Sequence, residues 1–209
     1  MKQSNYIIIV LFVFVIGCTL VLFISARGHE NESYFANKEY FIDNEYLLDS
    51  INVIVAEQEA SINIRSSDKN SLSIDYPKGE KEPDVLFRIS NDTLFVPKVG
   101  SPNETYVNIH IKSLSSIVVK NKNSIRINSF SSDKLEIDAE QANINISDAL
   151  IDEIVIQAIH SNISIYSTTE TASVSAKLER ESNLRINSAK NISKVNIEKD
   201  ESSRCNLYQ

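Results

Sequence analysis

From Ile117 onward a pair of apolar residues two apart recurs in two interleaved series. One runs Ile117/Val119, Leu135/Ile137, Ile154/Ile156, Val174/Ala176, Val195/Ile197. The other runs Ile125/Ile127, Ile144/Ile146, Ile163/Ile165, Leu184/Ile186, Cys205/Leu207. Successive members lie 18, 19, 20 and 21 residues apart in the first series and 19, 19, 21 and 21 in the second. A period near twenty, with two short alternating segments in each, marks a unit that buries its apolar side only by stacking on its neighbours.

The residue between the two apolar ones is polar in most units: Arg126, Asn145, Ser164, Arg185 and Asn206 in one series, Glu136, Ser175 and Asn196 in the other. Side chains alternate across a strand, so the pairs face an interior and the intervening residues face water. Stacking puts I-x-I over I-x-I, giving columns of branched aliphatics. The expected fold is all-β, a right-handed parallel β-helix, the hand following from the crossover rule for parallel strands. A third corner is expected near Phe130, Leu150, Thr169 and Ala189.

From about Tyr40 to Thr105 the alternation is less regular. Val53/Val55, Ile62/Ile64 and Leu72/Ile74 come first, then the charged turn from Pro77 to Pro83. Ser90-Asn91-Asp92-Thr93 between Leu86–Ile89 and Leu94–Val96 reads as a hairpin loop. Pro97 to Pro102 is a further break, and Val107/Ile109/Ile111 leads into the regular stack. Glycine after the first 27 residues is confined to Gly28, Gly79 and Gly100. Left-handed corner positions therefore fall to other residues, asparagine being the best substitute. Asn143, Asn162 and Asn183, each just before an apolar pair, are placed to stack as an amide ladder.

Ile7 to Ile24 is 18 residues without a charge. As a helix rising ~1.5 Å per residue it would cover roughly 27 Å of a ~30 Å hydrocarbon core. Residues 1–27 are expected to be a membrane anchor or signal segment, 28–38 a tether, and 39–209 the β-helical domain. Lys2 and the amino terminus before the span, with Arg27 and then the acidic Glu30 and Glu32 after it, favour a cytoplasmic N-terminus and so a domain outside the cytoplasm, in the periplasm or cell envelope. In the alternative, Val15-Ile16-Gly17-Cys18 is a lipobox and Cys18 is lipidated, making the chain a lipoprotein. After residue 27 there are 19 Lys+Arg against 28 Asp+Glu, a balance of −9 that argues against a nucleic-acid partner.

The stretches Ser50–Glu57, Asn70–Ile74, Phe87–Val96 and Val107–Leu114, followed by the repeats, resemble the autotransporter-adhesin head domain known as the GIN domain. The likeness covers roughly residues 40 to 209 and is one of strand pattern rather than reactive residues. It implies a bacterial cell-envelope protein with a β-helical body and no established activity. The chain departs from that family in using Asn, Ser and Asp at turns where glycine is usual.

Reactive constellations are lacking. His29, His110 and His160 are far apart in sequence, and no G-x-S-x-G turn exposes a nucleophile. Glu136 and Asp138 suggest a glycan-active carboxylate cluster, but Val155 and Gln157, then Ser175 and Lys177, occupy their places in the next two units. No cofactor, metal site or catalysis is expected. Asp49-Ser50-Ile51 and Asp92-Thr93-Leu94 resemble an O-glycosylation signal. The expected role is a non-catalytic, adhesin-like binding module for a protein or carbohydrate, attached to the membrane through residues 7–24. The alternatives are a structural or sensory scaffold that self-associates weakly through its C-terminal edge, and a degenerate glycan-active enzyme.

Overall fold

Alternation between branched aliphatic and polar residues produces seventeen strands in the computed structural model, which describes residues 41–57, 59–77, 87–96, 105–166, 168–187 and 192–208. The less regular part contributes β1 (Phe41–Leu47), β2 (Val53–Ala56), β3 (Ser61–Ser66), β4 (Ser71–Pro77), β5 (Arg88–Ser90), β6 (Thr93–Val96) and β7 (Tyr106–Ile111). The repeats contribute β8 (Ser116–Val119), β9 (Ser124–Asn128), β10 (Ser131–Glu140), β11 (Asn143–Ser147), β12 (Leu150–Ile159), β13 (Asn162–Ile165), β14 (Ser173–Glu179), β15 (Asn183–Asn187), β16 (Lys194–Lys199) and β17 (Arg204–Tyr208). The expected span Ile7–Ile24, the tether and Cys18 lie outside the described residues. Among the described residues no helix is long and apolar enough to cross a membrane.

The strands form two mixed sheets, one of nine strands in the order β1-β4-β7-β3-β9-β11-β13-β15-β17 and one of eight in the order β16-β14-β12-β10-β8-β2-β6-β5. From β8 on, the chain visits the sheets alternately, and from β10 on each strand pairs in parallel with the strand two before it. Register follows the repeat: Ile144 pairs with Ile125 and Ile163, and Ile154 with Leu135 and Val174. Among the described residues antiparallel pairing is confined to β1·β4, β4·β7 and β5·β6. The β5·β6 hairpin turns at Asn91 and Asp92, with φ of 49° and 57°, where the sequence places a hairpin loop. Two consecutive left-handed residues match the twist of the flanking strands.

One relationship departs from sequential stacking. β2 and β3 lie between β6/β7 on one side and β8/β9 on the other. Val107/Ile109/Ile111 therefore does not lead directly into the stack, because β7 pairs with β3 and β4 while β9 pairs with β3. The chain reaches β8 across the earlier turn, where Ser115 N–H donates to Asn52 O (2.9 Å) and Ser113 Oγ to Asn52 Oδ1 (2.9 Å).

The inward aliphatics of β8 to β15 are fully buried. Each such side chain is worth about 1.5–3 kcal/mol relative to exposure. In β2 the buried residues are Ile54 and Ala56, and Val53 and Val55 face outward. Pairing of Ile54 with both Leu94 and Ile117 sets that phase. Leu150 does not turn a corner inward: it is 54% exposed as the first residue of β12, and Ala149 fills the interior position beside Phe130 and Thr169. Ala189 lies outside the described residues.

Corners depart further from expectation. Left-handed residues recur as Asn121/Lys122, Gln141, His160 and Arg180/Glu181 at one corner, and as Ser129 and Asp148 at another. Asparagine supplies few of them, although a non-glycine residue in this region costs roughly 1–2 kcal/mol. Hydrogen bonds between turns offset that cost. Lys122 N–H donates to Gln141 O (2.7 Å), Gln141 N–H to Ile159 O (2.9 Å) and His160 N–H to Glu179 O (3.3 Å). In the last turn the Asp200 carboxylate takes the place of a carbonyl and accepts from Arg180 N–H at 2.6 Å.

Beside this row runs a buried column of small residues, Ala142, Ser161, Ser182 and Ser203. Ala142 N–H donates to Ser161 Oγ (3.0 Å), Ser161 N–H to Ser182 Oγ (3.2 Å) and Ser182 N–H to Ser203 Oγ (3.2 Å). Asn123 occupies the same column and donates from Nδ2 to Ala56 O (3.0 Å) and to Lys120 O.

Candidate functional site

Strands β7, β3, β9, β11, β13, β15 and β17 each turn three residues outward from the nine-stranded sheet, counting Tyr166 just past β13. These positions hold nine asparagines, four serines, four arginines, three tyrosines and one histidine. None of them is a carboxylate, in a chain of net charge −7. The arginines are Arg65, Arg126, Arg185 and Arg204, all exposed. Outward acids of the eight-stranded sheet include Glu136, Asp138 and Glu140 on β10, Glu153 on β12, Glu179 on β14 and Glu198 on β16. These seven strands thus present cations without acids, whereas β4 of the same sheet carries Asp75 and the eight-stranded sheet mixes its acids with outward Lys134, Lys177 and Lys194.

The outward side chains of the nine-stranded sheet are linked from strand to strand. Asn63 Nδ2 donates to Asn108 Oδ1 (2.9 Å), and Asn108 Nδ2 donates to Asp75 Oδ2 on β4 (2.8 Å). Asn162 Nδ2 donates to Asn143 Oδ1 (3.2 Å), the expected amide ladder, but Asn183 Oδ1 accepts instead from Asn206 Nδ2 (3.5 Å). Ser147 Oγ donates to Asn128 Oδ1, and Tyr166 OH to Asn145 Oδ1 at 3.4 Å. The Arg185 guanidinium carbon lies 5.8 Å from the centre of the Tyr208 ring. Such contacts hold amides and hydroxyls in fixed orientations before any ligand arrives, which lowers the entropic cost of binding.

Three of the shallow depressions on the surface are lined by described residues. One of about 420 Å³ is lined by Lys122, Gln141, Ala142, Asn143, His160 and Asn162, on the margin of the carboxylate-free face. Another, of about 730 Å³, is lined by Ser66, Ser67, Asp68 and Lys112. A third, of about 400 Å³, shares Lys112 and adds Leu47, Leu48, Asp49, Ser50, Lys69 and Asn70. Its rim is tied by Asn70, which donates from Nδ2 to Asp49 O (2.8 Å) and accepts Lys112 N–H at Oδ1 (2.9 Å).

On the other sheet the exposed pairs Lys134–Glu136 (2.8 Å) and Lys177–Glu179 (2.6 Å) hold both lysines above the usual ammonium range. Each shift arises first from the hydrogen bond to the paired glutamate and then from its charge. Exposed pairs of this kind contribute little to stability.

Glu136 pairs with Val155 and Asp138 with Gln157, followed on β14 by Ser175 and Lys177, so no acidic column forms from them. Among the described residues no group of three or more His, Cys, Asp and Glu could hold a metal ion. His110 lies on β7 and His160 at a corner. His29 and Cys18 lie outside the described residues.

The carboxylate-free face escaped sequence reasoning, which takes Arg126 and Arg185 together, in one series, as solvent-facing gatekeepers rather than an anion site. Its signal was present: collecting the polar positions of the second repeat series apart from those of the first separates the two kinds of face.

No family model and no curated protein matches this chain. Among solved structures, one from Bacteroides fragilis named as a candidate adhesin aligns with a TM-score of 0.58 and 14% identity, over 82% of this chain and 97% of that one. A second, from Parabacteroides merdae and also named as a candidate adhesin, aligns at 0.45 and 13% identity, over 83% and 98%. A third, from Parabacteroides distasonis and named as a candidate lipid-binding protein, gives 0.42 and 12%, over 82% and 98%. The likeness to the first is one of fold.

Proposed function

We propose that this chain is a non-catalytic, adhesin-like binding module that works outside the cytoplasm, held at the membrane by Ile7–Ile24, and engages a carbohydrate through the outer face of its nine-stranded sheet. The carboxylate-free array of Asn, Ser, Arg and Tyr carries this reading. Amides and guanidinium groups supply paired donors and acceptors for vicinal hydroxyls, and tyrosine offers an apolar face with a polar edge. The two ladders, visited alternately in register, support a right-handed parallel β-helix of the GIN head type as the scaffold. A fold shared with a protein named as a candidate adhesin agrees with it.

The test is a glycan array probed with the full chain in non-ionic detergent, alongside Asn145→Asp and Ser164→Asp on this face and Gln157→Asp and Ser175→Asp on the other sheet. Binding that only the first two variants weaken is expected. Wild type binding no glycan, or all four variants behaving alike, would defeat the reading. Surface biotinylation of intact and osmotically shocked cells tests the location: labelling only after lysis would place the domain inside.

A scaffold role is the second reading, favoured by the edges that β16 and β17 form. Their apolar residues Val195, Leu207 and Tyr208 are 38%, 55% and 51% exposed. Exposed strand edges invite pairing with another chain. Sedimentation at rising concentration should then show dimers that Leu207→Pro removes, because the Leu207 N–H faces the free edge, whereas those of Arg204 and Asn206 point back toward β15, Arg204 N–H donating to Ser182 O at 2.8 Å. A strictly monomeric wild type excludes this role.

A further inference from the structure

We infer that the ligand of the carboxylate-free face is an acidic polysaccharide bearing carboxylates at intervals, a uronate-containing chain lying across the strands; this rests on the carbohydrate-binding reading above.

The argument begins with the placement of the arginines. Arg65 on β3 and Arg126 on the adjacent β9 form one group, and Arg185 on β15 and Arg204 on the adjacent β17 form another. Between the groups lie β11 and β13, whose outward residues are uncharged. Arg126 and Arg185 occupy the same register position, connected through Asn145 and Ser164. Three strand spacings of ~4.8 Å set them ~14 Å apart. The depression lined by Asn143, Asn162, Lys122 and His160 opens beside the interval between the two groups. None of the acids at that corner, Glu140, Glu181, Asp200 and Glu201 among them, lines it.

A ligand complementary to this surface carries negative charge at two separated places and hydroxyls between them. Guanidinium pairs with carboxylate through two parallel hydrogen bonds, and the intervening amides can both donate to and accept from sugar hydroxyls. A nucleic acid fits poorly, since its closely spaced phosphates call for continuous cations. A neutral glycan would leave the four arginines without function, and their cost is visible in the acids excluded from seven strands of an acidic protein.

The experiment measures retention of the full chain, in non-ionic detergent, on beads bearing polygalacturonate, fully methyl-esterified polygalacturonate, dextran or single-stranded DNA. The variants are Arg126→Gln/Arg185→Gln and, as a control with the same change in charge on the other sheet, Lys134→Gln/Lys177→Gln. Wild type should bind polygalacturonate at least tenfold more tightly than its ester, and the arginine variant should lose at least tenfold while the lysine variant keeps its affinity. If the arginine variant fails to fold, judged by its thermal midpoint, Ser164→Asp serves instead and should weaken binding by placing a carboxylate between the two groups.

Equal binding to the ester overturns the acidic ligand and leaves the carbohydrate reading standing. No binding to any of the polysaccharides, with face-dependent binding on the glycan array retained, also overturns this inference alone. Failure on both the beads and the array removes the underlying reading as well. DNA retained as strongly as polygalacturonate, or equal losses in the two double variants, means ion exchange and sinks the proposal.

Discussion

The hydroxyl oxygen of Ser182 accepts the backbone N–H of Ser161, one turn earlier in the stack, at 3.2 Å. The same hydroxyl donates to Glu179 O at 2.6 Å. A buried serine thus satisfies one turn's amide and its own turn's carbonyl together, at a corner where sheet hydrogen bonding is interrupted. Replacing Ser182→Ala leaves the Ser161 N–H buried without its acceptor, and should cost about 1–3 kcal/mol. The check is the denaturation midpoint against Ser193→Ala, an exposed serine, which should change little.

Ile144 and Ile163 are each 1% exposed and stand in one aliphatic column. Ile144→Asp or Ile163→Asp places a carboxylate there with no polar partner, so a loss of several kcal/mol is expected. Asn145→Asp and Ser164→Asp, one residue along, point outward and should be nearly silent in thermal melts. Equal losses at both kinds of position would contradict the register.

Asp200 gives the stack a dependence on acid. The Arg180 backbone N–H first, then Ser203 and Ser202, hold its carboxyl well below the usual carboxylate range. A depressed folded value contributes stability that is complete above the unfolded value of about 4 and is lost as pH falls below it. The difference in thermal midpoint between wild type and Asp200→Asn should therefore be largest near neutral pH and shrink below about pH 4. A difference that grew in acid would contradict the hydrogen-bonding role.

Cys205 is a free, half-buried thiol rather than the mostly buried one that a full inward strand position suggests. Burial pushes its thiol up, partly offset by Lys199. Since the thiolate is the nucleophile, alkylation in the native protein should be slower than in denatured protein at pH 8 and should speed up as pH rises. A native rate equal to the denatured one would place the sulfur in open solvent.

Membrane attachment is expected to depend on the apolar span rather than on Cys18. Cys18→Ala should stay in the membrane fraction, and two arginines introduced at Val13 and Phe14 should release the chain. Palmitate labelling that Cys18→Ala abolishes would favour the lipoprotein instead.

Sequence alone determined the alternation, the two-series period near twenty and the inward set from Ile117 to Ile186. Side-chain period within a strand is local, so an I-x-I segment names its buried residues wherever it lies. It also determined the Asn91-Asp92 hairpin, since both residues tolerate the left-handed backbone that such a turn requires. Tertiary structure decided the order of the first turns. Ile62/Ile64 and Val107/Ile109 present the same apolar pair, and nothing in either states that β3 separates β7 from β9. Long-range pairing makes that choice, as it sets the phase of β2 by seating Ile54 between Leu94 and Ile117. It also decided which residues share a face. Arg126 and Arg185 already share one repeat series in the sequence, but Arg65 lies 61 positions before Arg126 and joins their face only because long-range pairing seats β3 beside β9.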